Sequence, residues 1–295
     1  MLDLPYLLDL AQSHRDALSA TVASFDIAGQ PFDFNREPAI MGVINLSPDS
    51  WYRESVCLST EQAVQRGQVL KSQGAHLIDL GAESTLAHAA RANRDQQTAK
   101  LLPVVASLSK IGCAVSVETY EPDVAKAALE NGAAVINFTG KKTTEPIYRL
   151  VAEHDAALIL CHVQGGDVRD VTDLNLGPDP IPDLQRHFER EIKLATDFGV
   201  RKLFMDPGLG FYYRNLQDGA DRVRFQIKTF LNTFRLRTLG WPVCHALPHA
   251  FDYFGEEVRS AEPFFAVLAA LGKTDLIRTH EVPRVKAVLD TMRAG

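Results

Sequence analysis

From residue 39 onward, short unbroken runs of apolar and β-branched residues alternate with longer stretches whose apolar positions recur every three or four residues. The short runs are AIMGVIN (39–45), HLIDL (76–80), CAVSVE (113–118), AVIN (134–137), ALILC (157–161), KLFMD (202–206), PVCHA (242–246) and DLIRT (275–279). Near-continuous apolar character predicts strands covered on both faces. Between them, EQAVQRGQVLKSQG, RDQQTAKLLPVVASLSK, EPDVAKAALENG, EPIYRLVAEH, PDLQRHFEREIKLATDFG, a long RVRFQIKTFLNTFRLRTLG, SAEPFFAVLAALG and VPRVKAVLDTMRAG predict amphipathic helices. Several of these stop at a Gly just before the next strand. Helical crossovers make the strands parallel. Eight strand-helix units in about 255 residues have the size and count of an α/β (β/α)8 TIM barrel, with a doubly wound sheet as the competing arrangement. The opening stretch, MLDLPYLLDLAQSHRDALSA, is apolar at helical spacing but broken by Asp3, Pro5 and Asp9. It predicts an N-terminal helical extension over 1–38 ahead of a barrel over 39–295.

Composition narrows the function classes. A chain of 295 residues that is 46% hydrophobic buries a large core. Its formal net charge is −6 with scattered basic residues, so it carries no electrostatic footprint for nucleic acid. The four cysteines, Cys57, Cys113, Cys161 and Cys244, are far apart and show no CxxC spacing, which reads as buried thiols in a reducing compartment. The first residues lack a basic region followed by an uninterrupted apolar one, and no stretch is long enough to span a membrane. A cytoplasmic protein is expected.

In a (β/α)8 barrel the reactive groups sit at the C-terminal ends of the strands. Here these ends carry Asn45; Asp79 with Glu83, Ser84 and Thr85 beyond it; Glu118 and Thr119; Asn137; His162 and Gln164; Asp206; His245 and His249; and Arg278, Thr279 and His280. Each alone also has a structural reading: Asp206-Pro207-Gly208 as a turn, Asn137 as a cap, Arg278 as a salt-bridge partner. Together they describe a pocket with acids and amides inside and a cationic pair at one side. Acids plus amides suit a flat heterocycle with an N–C–N donor array, while Arg278, His280 and the Asn45 amide suit an anion such as phosphate. His245 and His249 have the spacing of a helical metal pair, but Pro248 between them disfavours a helix there. His245 reads as a neutral histidine at a strand end. GGDVRD (165–170) and DPGLG follow neither dinucleotide-binding nor P-loop spacing.

The runs IMGVINLSPDS, GAHLIDLGAEST, SVETY followed by AKAALENGAAVIN, MDPGLGF and IRTHEV resemble, in order, the signature segments of dihydropteroate synthase and the wider pterin-binding barrels, over about residues 39 to 290. The resemblance implies a TIM-barrel transferase of folate-type pterin biosynthesis. It joins 6-hydroxymethyl-7,8-dihydropterin diphosphate to p-aminobenzoate or a related amine, chiefly by positioning and electrostatics. It places Glu118, Asn137 and Asp206 at the pterin ring, Thr85 in a mobile loop of the substrate site, and Asn45, Arg278 and His280 at the diphosphate, with Mg²⁺ at Asn45. It also implies a homodimer formed through helices near the FQIKTFLNTFRLR stretch.

The chain departs from that pattern at definite places. Glu118 stands where the family has Asp, and Phe138 where an Asp usually follows Asn137. Leu86-Ala87 replaces Arg-Pro after EST. SWYRESVCLS lacks an Asp-Gly-Gly, with Arg53 as a candidate replacement charge. Leu247-Pro248-His249-Ala250 takes the place of a Ser-Arg-Lys-Ser run, so His249 stands where a permanent cation is expected. Two further readings follow from these departures: a reduced-pterin methyltransferase of the same superfamily, needing no diphosphate cations, and a non-catalytic pterin-binding paralogue.

Overall fold

The computed structural model describes residues 2–50, 52–83, 92–142, 144–167, 170–174, 177–211, 213 and 215–294. A helix, α1 (Leu4–Ser13), is followed by a hairpin of β1 (Phe25–Ile27) and β2 (Gln30–Phe32). The barrel then runs β3 (Ala39–Asn45), α2 (Thr60–Ser72), β4 (Leu77–Gly81), α3 (Arg94–Lys110), β5 (Ala114–Thr119), α4 (Pro122–Glu130), β6 (Val135–Phe138), α5 (Thr144–Glu153), β7 (Ala157–Cys161), α6 (Ile181–Asp197) and β8 (Leu203–Asp206). It is completed by α7 (Gly219–Leu231), α8 (Thr233–Leu236), β9 (Cys244–Ala246), α9 (Phe251–Phe254), α10 (Ala261–Leu271), β10 (Leu276–Thr279) and α11 (Val282–Ala294). The eight apolar runs are the eight strands of one parallel sheet in the order β8-β7-β6-β5-β4-β3-β10-β9. Met205 pairs with Val243 and donates its N–H to the Pro242 carbonyl at 3.0 Å, which joins β8 to β9 and closes the ring.

Alternation along each strand sorts the side chains into two layers. Ile40, Ile44, Ile78, Leu80, Val117, Ile136, Phe138, Leu158, Leu160, Met205 and Ile277 point outward and pack under the helices. Inside the ring, Met41, Leu77, Ala114, Val135, Ala157, Ile159 and Phe204 fill the lower layers, and the polar residues occupy the top. Helix starts are fixed by caps: Ser59 accepts from the Gln62 N–H, Asn93 and Gln96 form a reciprocal capping box, and Asp218 accepts from the Asp221 N–H.

Two expectations need correction. The segment 1–38 is helical over Leu4–Ser13, but it continues as the β1–β2 hairpin. Ala28 and Gly29 both take positive φ (51° and 73°), the two-residue turn that suits the twist of a hairpin. The hairpin plugs the barrel bottom, with Phe25 and Phe34 set edge-on to Phe204 at 5.3 and 5.2 Å between ring centres. The long helix expected over 222–240 is broken at Asn232 (φ −98°, ψ 4°) into α7 and α8. All four cysteines are free and buried. Among the described residues no helix is long and apolar enough to cross a membrane.

Candidate active site

The C-terminal mouth of the barrel holds a cleft of about 1110 Å³, its open mouth included, whose lining contains Asn45, Glu118, Asn137, Asp206, His249, Arg278 and His280. Seven of the eight site residues expected from the sequence therefore meet in one cavity. The eighth, Thr85, lies outside the described residues, as do Leu86 and Ala87.

Register builds the floor. Glu118 and Asn137 are direct neighbours across β5 and β6, and Cys161 and Asp206 are direct neighbours across β7 and β8. The Cys161 thiol donates to Asn137 Oδ1 at 3.3 Å, so a contiguous row runs from Glu118 to Asp206. Asp79, one layer below, ties the row from beneath. It accepts from Ser116 Oγ (2.6 Å), Asn137 Nδ2 (3.3 Å) and Arg278 Nε (2.7 Å). Arg278 also donates through Nη2 to Glu118 at 2.8 Å. It therefore spans two buried carboxylates, where the sequence had suggested an anion partner.

Three carboxylates and one guanidinium leave this floor acid-rich. Burial pushes Glu118 up to about 7, against the pull of Arg278, and pushes Asp206 up to about 6, against the Gly208 N–H that donates to its Oδ1 at 2.8 Å. Burial also raises the Cys161 and Cys244 thiols well above their ordinary value, so both stay protonated and unreactive. The turn after Asp206 requires glycine: Gly208 has φ +74°, and a Cβ there would stand 2.2 Å from the His162 carbonyl oxygen.

The opposite wall comes from the last two strand ends. His249 follows β9 and sits next to Ala250, a non-glycine residue in left-handed conformation (φ 44°, ψ 52°). Its Nε2 lies 2.9 Å from Glu262 Oε1, and His280 Nδ1 lies 2.8 Å from the same oxygen. Burial alone would raise Glu262, but the two ring N–H donors hold it well below the ordinary carboxylate range. Burial lowers His249 to about 4, although Glu262 works against it. At neutral pH His249 is thus a neutral hydrogen-bond donor, and it holds the carboxylate by N–H donation rather than by a full ion pair. Tyr52 stacks on His280 with ring centres 4.4 Å apart.

Other expected groups fall outside the cleft. His245 is fully buried behind the barrel, 2.8 Å from Thr233 Oγ1, in keeping with its reading as a neutral histidine. The supposed His245/His249 metal pair is not formed, because the two side chains take different partners. Arg53 is exposed and donates to the Pro48 carbonyl at 2.8 Å, so it restores no charge to the lining. Phe138 points outward onto Tyr148 in α5, which means that the missing Asp changes the outer layer while Thr139 takes the lining position. Sequence reasoning missed Asp79 as the hub of the floor, Arg222 and Gln226 from α7 in the lining, and Glu262. A signal for Glu262 was present, since it is the only charge in the otherwise apolar helix AEPFFAVLAAL.

Residues 41–248 match the model of the pterin binding enzyme family. The dihydropteroate synthase of Synechocystis sp. is 27% identical over 265 residues, 85% of this chain and 88% of its own. That of Bacillus subtilis is 27% identical over 274 residues, 88% and 90% of the two chains. A solved structure of Xanthomonas albilineans dihydropteroate synthase with 4-aminobenzoic acid superposes with a TM-score of 0.76 at 27% identity, covering 93% of this chain and 98% of that one. A match across most of the barrel, with Asn45, Glu118, Asn137 and Asp206 of the cleft inside it, means that the chain belongs to the pterin-binding enzyme family.

Proposed function

We propose that this enzyme is a dihydropteroate synthase-like transferase of folate-type pterin biosynthesis, joining 6-hydroxymethyl-7,8-dihydropterin diphosphate to p-aminobenzoate or a related amine. The observation that carries this reading is the contiguous row Glu118, Asn137 and Asp206 at the floor of one cleft. A carboxylate at Asp206 accepts two N–H bonds from the N–C–N edge of a pterin, and Glu118 and the Asn137 amide serve the rest of the ring edge. The amine lone pair attacks the 6-methylene carbon, the C–O electron pair leaves with pyrophosphate, and the amine gives up its proton to water. The protein's part is to hold the methylene in line with the amine and to shield the reaction from competing hydrolysis.

Asn45 fits the role of a Mg²⁺ ligand. Its Nδ2 is engaged by Ser55 Oγ at 2.6 Å, which leaves Oδ1, a hard oxygen donor, for the ion together with diphosphate oxygens and water. Such an ion would supply charge neutralisation on the leaving group. Cytoplasmic location accords with the free, buried thiols. Exposed Tyr253, Phe264, Val267 and Leu271 on and beside α10 support a homodimer.

A second reading, a reduced-pterin methyltransferase, draws support from Arg278, which is committed to Asp79 and Glu118 and so serves a substrate without a diphosphate equally well. Calorimetry with 6-hydroxymethylpterin tests the assignment common to both. Asp206→Asn is expected to weaken binding by about 2 kcal/mol or more, roughly 30-fold, because the ligand's buried donors lose their acceptor; unchanged affinity removes the pterin assignment.

A further inference from the structure

Three elements aim ligand atoms at one point on the cleft wall. His249 comes from the loop after β9, Glu262 from the first turn of α10 and His280 from the end of β10. Their ligand atoms, Nε2, a carboxylate oxygen and Nδ1, all lie within 4.8 Å of one another, with the carboxylate oxygen 2.9 and 2.8 Å from the two ring nitrogens. Tetrahedral coordination at about 2.0 to 2.1 Å spaces ligand atoms roughly 3.3 Å apart, so the two oxygen–nitrogen separations need open by only about half an ångström to admit an ion.

The carboxylate is oriented for such a role. Glu262 Oε2 accepts from Thr279 Oγ1 and from the His280 and Glu281 N–H groups at 3.0 and 3.1 Å, while Oε1, which shares the His280 N–H at 3.2 Å, is the atom turned toward the rings. Outer hydrogen bonds of this kind hold metal ligands in place. The ring of His280 is further fixed in plane by Tyr52. His249 and His280 line the cleft, so a bound ion has an open side toward it.

We propose that His249, Glu262 and His280 bind one divalent first-row transition metal ion, with its remaining position open to the cleft. Two imidazoles and one carboxylate suit zinc, iron or manganese, whereas Mg²⁺ prefers oxygen donors throughout. Each ring would bind through the nitrogen that faces Oε1, so a hydrogen carried there passes to the other ring nitrogen or to solvent. The ion returns positive charge to the position where the resemblance expects a lysine. That consequence rests on the reading of an anionic pterin substrate; the site itself does not.

Zinc titrated into chelator-washed full-length protein, without pterin, is followed by calorimetry, and cobalt by its visible absorption. The expected result is one zinc per chain, bound at least about 100-fold more weakly in Glu262→Gln and His249→Gln and unchanged in His154→Gln, whose exposed ring bonds the Leu150 carbonyl of its own helix. Cobalt bands should vanish in the same two variants. Absence of binding, or binding that persists in His249→Gln, overturns the proposal. Glu262 also anchors two backbone amides, so if Glu262→Gln fails to fold, His249→Gln on its loop decides the matter alone. Because no pterin is present, failure here leaves the pterin assignment standing, and failure of Asp206→Asn to affect pterin binding leaves this site standing.

Discussion

Asp206 works against the stability of the fold in order to serve the ligand. Burial raises its carboxyl to about 6 from an ordinary 3.8, so the native state binds this proton more tightly than the unfolded chain does. The resulting stabilisation is full below 3.8 and is lost as pH rises through 6; by pH 8 the ionised group costs about 3 kcal/mol relative to an unperturbed one. Asp206→Asn is therefore expected to raise the thermal midpoint at pH 8 while it weakens pterin binding. A variant that lost stability as well would mark Asp206 as structural. In the unmodified protein, pterin affinity should fall by up to tenfold per pH unit below about 6, as the acceptor becomes protonated, and calorimetry at pH 5 and pH 7 checks this. The importance of Asp206 was visible in the sequence as an acid at a strand end followed by Pro-Gly. Its raised pKa was not, because that depends on how deeply the closed ring buries the carboxyl, with Asp79 adding to the effect and the Gly208 N–H and Arg278 opposing it.

At the scale of elements, the turn after β8 couples that acid to the backbone. Gly208→Ala would place a Cβ against the His162 carbonyl at a positive φ, displacing the N–H that holds Asp206. Chemical denaturation should show a loss of about 2 kcal/mol or more, with pterin binding weakened in parallel; an alanine variant as stable as the parent would show that the turn has slack. The strands themselves were legible because both their faces are buried, so their apolar runs are unbroken. Helices were legible from their period, even α3, which runs through Pro103. What escaped reading has physical causes. The break at Asn232 interrupts no apolar period, since Phe230, Leu231, Phe234 and Leu236 are all buried on either side of it. The turn of the β1–β2 hairpin is Ala-Gly, without the Asn or Asp that usually announces such a turn. Glu262 sits in a helix whose pattern says only that it packs.

At the scale of the whole molecule, the N-terminal segment is bound to the barrel by hydrogen bonds from an arginine that a buried carboxylate holds in place. Arg237 meets Asp275 at 3.2 Å and also donates to the Ala20 carbonyl (3.0 Å) and to Asn35 Oδ1 (3.1 Å). Arg237→Ala leaves the Asp275 carboxyl buried without its cation and is expected to destabilise the fold by about 3 kcal/mol or more. Limited proteolysis should then cut within residues 14–38 faster than in the parent; equal cutting rates would mean that the aromatic plug under Phe204 anchors the segment unaided. The sequence indicated an extension, but not that it forms the floor beneath the barrel, because Phe25, Phe32 and Phe34 find their partners only after the ring has closed.

The ring is unevenly joined. Most neighbouring strands share four or five paired positions, whereas β8 and the segment entering β9 share a single one, Met205 with Val243. Asp206 stands on one side of this joint and the His249 loop on the other. Widening the mouth to admit a bulkier second reactant therefore breaks fewest bonds along this line, so the girth of that reactant is policed by the looseness of one seam, while the identity of the first is policed by the rigid floor.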